Sequence, residues 1–240
     1  MPLPKISTPT YELELPSTGQ KIKYRPFLVR EEKLLVLAME TEDVKEITTS
    51  VKNVIRECIE SPKNIKVESL PTFDIEYLFL NIRGKSVGEV VDVNLICPDD
   101  GITEVKVSIP ITDIGVEKNE NHSTKIKIDD TLMMEMKYPS LEQFIKTNFD
   151  MKSENNVEQS FELIASCIDK IYNDEQVWDC SDVSKKELLA FLDGMNANQF
   201  KEIEEFFETM PKIKHVVKIT NPKTKVKSTV TLEGLTSFFA

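Results

Sequence analysis

Two short segments, more than a hundred residues apart, share one layout, and that layout limits what the chain can fold into more than any other feature. VNLICPDDGITEVKVSI (Val93–Ile109) reads as strand, turn, strand, with Cys97-Pro98 leading into the turn. HVVKITNPKTKVKSTVTL (His215–Leu232) repeats the layout with Asn221-Pro222 and a Lys-Thr-Lys tip. Alternating apolar residues on either side of a polar turn are the pattern of a hairpin buried on one face. Proline cannot donate to a ladder and holds the preceding residue in extended backbone, so each X-Pro step marks a strand end. The expectation is two hairpins, 89–109 and 214–232, lying side by side with Cys97–Gly101 and Asn221–Lys225 at neighbouring tips.

Two such hairpins are also the plan of a zinc ribbon, in which each supplies a Cys-x-x-Cys pair to one tetrahedral metal. A structural zinc site needs about four thiolate or imidazole ligands. Here Cys97 supplies one, Asp100 stands in its partner's place, and Thr220, Asn221, Thr224 and Lys225 occupy the second tip. The pair therefore reads as a degenerate ribbon held by packing, with no metal and no cofactor. The other cysteines, at 58, 167 and 180, stand far apart, and Cys58 and Cys167 fall on apolar helix stripes where a reduced buried thiol is the default.

The remaining chain alternates between the two periodicities. Residues 10–27 predict a hairpin through a Pro-Ser-Thr-Gly turn, and 28–40 and 42–60 predict helices, the second closed by Ser61-Pro62. A core helix over 70–86 is expected to stop at Gly84. A strand pair is expected across 123–137, then a short helix after Pro139 and an amphipathic helix over 155–172. Next come a loop with a strand-like centre around Trp178 and a helical pair, 184–195 and 196–210, with Asp193 and Asn196 at the caps. The fold class is α+β, β-hairpins packed with amphipathic helices. The chain reads as one unit over 1–240, and its best candidate seam is the charged stretch 115–125. No repeat of solenoid length is visible: the two hairpins resemble one another and their flanks do not.

Composition excludes several functions. With 41 acidic and 30 basic residues the formal charge is −11, which argues against a nucleic-acid binder. No apolar run approaches the length of a membrane span, and MPLPKISTPT has no apolar core of a signal peptide, so a reducing cytosol is expected. The two histidines, His122 and His215, have no second metal ligand at a useful spacing. Arg83-Gly84-Lys85-Ser86 resembles the end of a P-loop, but position 79, where the motif requires glycine, is Phe. Asp99-Asp100 lacks a surrounding EF-hand loop, and no Gly-x-Ser-x-Gly elbow is present. No catalytic residue is assigned.

Against the acidic background the end of the chain is basic: residues 211–240 hold six lysines and one acid, Glu233. This is either the solvated face of a hairpin or a docking surface for an acidic neighbour. The candidate partner-binding residues are Lys223, Lys225 and Lys227, with Phe238 and Phe239 at the terminus.

Taken together, the order of elements resembles the baseplate hub and hub-assembly proteins of T-even-type contractile-tailed phages. The residues that carry the resemblance are Arg25-Pro26-Phe27-Leu28-Val29-Arg30-Glu31-Glu32 after a first hairpin and Leu95-Ile96-Cys97-Pro98 in the second. Ile168-Asp169-Lys170-Ile171-Tyr172 and Trp178 follow, then a helical pair and a last hairpin. Some relatives carry Cys-Pro-x-Cys in the hairpin, from which this chain departs at Asp100. The resemblance implies a non-enzymatic hub subunit or assembly chaperone. Its partners would be other hub proteins or further copies of itself, with no nucleic acid and no membrane. Its place would be the infected host's cytoplasm during assembly, or the virion's tail baseplate. The alternatives are an intracellular adaptor that binds acidic partners through the lysine-rich hairpin, and an enzyme with a dispersed site.

Overall fold

A computed structural model describes residues 6–41, 43–141, 143, 156–234 and 237, and divides the chain into two compact units, 1–117 with 212–240 and 118–211. Among the described residues there are six helices and twelve strands in small antiparallel sheets, an α+β fold.

The first unit opens with the expected hairpin, β1 (Tyr11–Glu14) and β2 (Lys21–Tyr24), which buries Leu13 and Ile22 as cross-strand partners. Helix α1 (Val29–Glu40) begins at Leu28, which has no side-chain acceptor for capping. Glu31 reaches back instead and accepts the Leu28 N–H at 2.6 Å, together with Arg25 at 3.1 Å and Arg30 at 2.7 Å. Burial works against the charge on Glu31, but these three donors outweigh it and hold the carboxyl at about 2.

Helix α2 (Val44–Cys58) buries Val51, Val54, Ile55 and Cys58 at helical spacing. It is shorter than the sequence suggests. Ile59–Ser61 leaves the helix and forms strand β3, antiparallel to β2. An edge of unpaired backbone on β2 outweighs the helical preference of the segment, because a buried sheet edge must find partners. Helix α3 (Thr72–Val87) corrects a second expectation, since Gly84 does not stop it. A Cβ there would meet Ile111 Cδ1 at 2.8 Å, so Gly84 allows close packing inside the helix, and Gly88, at φ +147°, ends it. Ser86, from the P-loop-like run, is part of α3, where its hydroxyl donates to Ile82 O and accepts the Phe27 N–H.

Strands β4 (Val90–Ile96) and β5 (Glu104–Pro110) form the first X-Pro hairpin. Strand β6 (Gly115–Glu117) pairs with β11 (Lys212–Thr220), whose other neighbour is β12 (Lys227–Glu233), the second X-Pro hairpin. Val91, Val93, Leu95, Ile109, Val217, Ile219 and Leu232 from both hairpins share one core with Leu80 of α3.

The second unit is a four-stranded sheet in the order β10-β9-β8-β7, with β7 (Lys125–Lys127), β8 (Met133–Met136), β9 (Ile168–Tyr172) and β10 (Val177–Asp179). It packs with α4 (Asn156–Cys167), α5 (Lys185–Asp193) and α6 (Ala197–Thr209) around Met134, Cys167, Ile168, Ile203 and Phe206. Ser184 and Asn196 cap α5 and α6 through their side-chain oxygens, each closed by a residue three places on, Glu187 and Gln199. The helix expected over 155–172 ends at Cys167, and its remainder is β9. The expected helix after Pro139 falls largely on 142 and 144–150, outside the described residues.

The elements next to the two X-Pro hairpins differ, one helix before the first and a helical pair before the second, but a motif further upstream recurs. In each half a hairpin is followed further on by a helix that ends at Cys, and the strand beginning at the next residue, Ile, pairs with the hairpin's second strand. Tyr24 faces Ile59 and Lys23 faces Ser61, while Met136 faces Ile168 and Glu135 faces Lys170, with a register irregularity at the same step. Arg25 N–H donates to Cys58 O at 2.9 Å, and Lys137 N–H to Cys167 O at 2.7 Å. Three residues later Leu28 N–H donates to the Glu31 side chain, and Ser140 N–H to that of Gln143. Each half ends in an X-Pro hairpin. The hairpin, the helix-to-strand step and the X-Pro hairpin thus recur once along the chain, too far diverged for periodicity to reveal.

Candidate docking site at the paired hairpin turns

The two turns share an inner backbone bond and differ by one residue in the bond that closes them. Cys97 N–H donates to Thr103 O at 2.8 Å and Gly101 N–H to Cys97 O at 2.9 Å. In the other hairpin Asn221 N–H donates to Val226 O and Lys225 N–H to Asn221 O, both at 2.9 Å. The fifth residue is left-handed in both, Gly101 at φ +68° and Lys225 at φ +64°. Cys97-Pro98-Asp99-Asp100-Gly101 and Asn221-Pro222-Lys223-Thr224-Lys225 are therefore equivalent, position by position.

The tips meet, as expected from the sequence. Asn221 is buried, and its side-chain amide donates to both oxygens of Asp99, each at 3.1 Å, and to Asp100 Oδ2 at 2.9 Å. Its own oxygen accepts the Lys223 and Thr224 N–H groups at 2.8 and 3.3 Å. Thr224 Oγ1 donates to Asp99 Oδ2 at 2.5 Å. Asp100 accepts further from the Ile102 and Thr103 N–H groups and from the Thr103 hydroxyl, at 3.1, 2.9 and 2.6 Å.

Hydrogen bonds from Thr224 and Asn221 hold Asp99 below the usual carboxylate range, and those from Thr103 and Asn221 do the same for Asp100. Burial pushes the Cys97 thiol up, and the nearby Asp99 and Asp100 charges push the same way. A thiol so placed is a poor nucleophile and a poor metal ligand. Among the described residues no group of three or more His, Cys, Asp or Glu could hold a metal ion.

Lys223, Lys225 and Lys227 are exposed around this turn, and none has an ion pair among the described residues. Lys214, lower on the same hairpin, is paired with Glu117 at 3.1 Å. Phe238 and Phe239 lie outside the described residues. Both histidines are used elsewhere: His215 Nδ1 donates to Asp113 O at 3.0 Å. His122 is tied through its ring nitrogens to Thr209 and Tyr138, at 2.9 and 3.0 Å, and packs on Phe206. Burial lowers its pKa.

The carboxylate-amide network was not legible in the sequence. Asp99-Asp100-Gly101 reads there only as turn geometry, since nothing local says that an asparagine more than a hundred residues away will point at it. The one available signal was the matched X-Pro spacing, which aligns Cys97 with Asn221 and Asp100 with Thr224.

All four cysteines are buried and free. Among the described residues no helix is long and apolar enough to cross a membrane. No curated protein and no solved structure matches the chain. Residues 8–240 match the family described as T4 bacteriophage base plate protein, and the chain belongs to that family of structural proteins of the T4-type phage baseplate.

Proposed function

We propose that the protein acts without enzymatic chemistry in building the central hub of the tail baseplate, as a hub subunit or a hub-assembly chaperone. It works through protein–protein contacts, and the lysine-bearing second hairpin is the docking surface for other hub proteins. The observation that carries this reading is the family match over nearly the whole chain, joined to three exposed lysines without ion pairs on an otherwise acidic protein. A tip already anchored by Asn221 presents those charges from a fixed frame, so little ordering entropy opposes docking.

Changing Lys223, Lys225 and Lys227 together to glutamate tests it. Co-purification with hub proteins should fall, more at low salt than at high salt, because exposed charges act largely through encounter rate and are screened. A folded triple variant that co-purifies unchanged at low salt removes the hairpin from the interface.

The second part of the reading is that the paired turns descend from a zinc ribbon whose metal has been replaced by hydrogen bonds. Positions 97, 100, 221 and 224 are the ligand positions of such a site, and in this chain they hold Cys, Asp, Asn and Thr. Protein purified without chelator should carry well under one zinc per chain. A full equivalent, whose removal unfolds the protein, would refute the replacement.

A further inference from the structure

Helix α1 contains the run Leu34-Leu35-Val36-Leu37-Ala38-Met39, apolar all the way round. Helices of that kind are buried on every side. This one is not: Ala38 is buried and Leu35 half-buried on the side where α1 packs on α2, but Leu34, Val36, Leu37 and Met39 are 53, 51, 60 and 47% exposed. No other helix among the described residues exposes so many large apolar side chains.

The exposed side has a definite charge order. Lys33, Val36, Leu37 and Glu40 stand at i, i+3, i+4 and i+7, which places them on one stripe, with Leu34 and Met39 flanking it. The cation is at the N-terminal end of the apolar centre and the anion at the C-terminal end. Neither Lys33 nor Glu40 has an ion pair among the described residues.

We propose that this stripe is the contact between two copies of the chain, packed with the two α1 helices antiparallel about a two-fold axis passing between Val36 and Leu37. In that register Val36 meets Leu37 of the other copy and Lys33 faces Glu40, each contact occurring twice as two-fold symmetry requires, while Leu34 and Met39 border the seam on its two sides. The stripe is its own complement in charge. A parallel pair would set Lys33 against Lys33 and Glu40 against Glu40, so the charges select the antiparallel arrangement. Two helices of 12 residues bury less than a standard interface, so the dimer forms in the micromolar range and remains available for exchange with other partners during assembly.

Sedimentation of the full chain over roughly 1–200 μM, the range suited to an interface below standard size, tests this. The wild type should move from 27.5 kDa towards twice that mass as concentration rises. Leu37→Glu should remain monomeric throughout. Lys33→Glu and Glu40→Lys should each weaken the dimer about tenfold, while the double variant Lys33→Glu, Glu40→Lys regains wild-type affinity, because the two-fold axis regenerates both pairs with reversed sign. All these positions are exposed, and an unchanged far-ultraviolet circular dichroism spectrum verifies the fold of each variant. A wild type that is monomeric at every concentration, a dimer indifferent to Leu37→Glu, or a folded double variant that does not recover would each overturn the proposal.

Discussion

The two halves of the chain share a hairpin, a helix that ends at a Cys and passes into a strand at Ile, and a closing X-Pro hairpin, while the elements between these differ. At the helix-to-strand step both have Cys-Ile, at 58–59 and 167–168, and all four side chains are buried. At the X-Pro turns the inner backbone bond and the left-handed fifth residue are shared and the side chains are not, with Asp99-Asp100-Gly101 on one tip and Lys223-Thr224-Lys225 on the other. The difference teaches that a turn can be held by its own N–H···O=C bonds while its side chains are rebuilt for contact with the opposite tip. One tip became the acceptor, through two carboxylates, and the other became the donor, through an amide and a hydroxyl.

The largest expected effect breaks that donor–acceptor division. Asn221→Ala removes the amide that serves two carboxylates and the oxygen that serves two N–H groups, all at a buried site. The cost should be about 3 kcal/mol in urea unfolding. Cys97→Ala, at the equivalent position of the other tip, should cost clearly less, because its side chain supplies packing alone. Equal losses would mean that the tips do not divide the work as described.

The repeated Cys-Ile step sharpens the comparison from the other side. Burial pushes both the Cys58 and the Cys167 thiol up to about 12. Neither should react with a thiol reagent at pH 8 in the native protein, and both should react once it is denatured. Cys167→Ser places a hydroxyl at a buried site and should cost about 2 kcal/mol, and Cys58→Ser should cost less, because the Arg25 guanidinium donates to Sγ there at 3.9 Å. Equal values would mean that Arg25 does nothing for the residue at position 58.

A smaller effect separates the two left-handed turn positions. Gly101→Ala should cost about 1 kcal/mol, since the site has open space and only the backbone resists. Lys225→Gly should gain about 0.5–1 kcal/mol for the same reason reversed. Loss of stability in Lys225→Gly would mean that its side chain makes a contact worth more than the conformational gain.

The smallest effect is in acid. Asp99 and Asp100 have folded pKa values below the ordinary ones, so what they contribute is complete above about pH 4 and is lost as pH falls through the lower folded values. Glu31 behaves the same way, from its ordinary 4.5 down to about 2. Melting temperature against pH should therefore fall less steeply below pH 4 in Asn221→Ala than in the wild type, because the variant has already lost donors that depress Asp99 and Asp100. Identical slopes would remove the carboxylate clamp from the account.

The alternation of apolar residues determined the hairpins, and the i, i+3, i+4 stripes determined that α2, α4 and the α5–α6 pair would be helices. The X-Pro spacing also determined which positions of the two tips are equivalent, Cys97 with Asn221 and Asp100 with Thr224. These are local or periodic signals, which a chain carries without reference to its neighbours. Tertiary structure alone decided that Ile59–Ser61 and Ile168–Tyr172 would leave their helices, because unpaired strand edges supply hydrogen bonds that propensity does not count. It decided that Gly84 would sit inside a helix against Ile111 rather than end one, since close approach between segments has no local signature. It also decided that Asn221 would hold Asp99 and Asp100, a bond between side chains whose separation in sequence is set by everything folded in between.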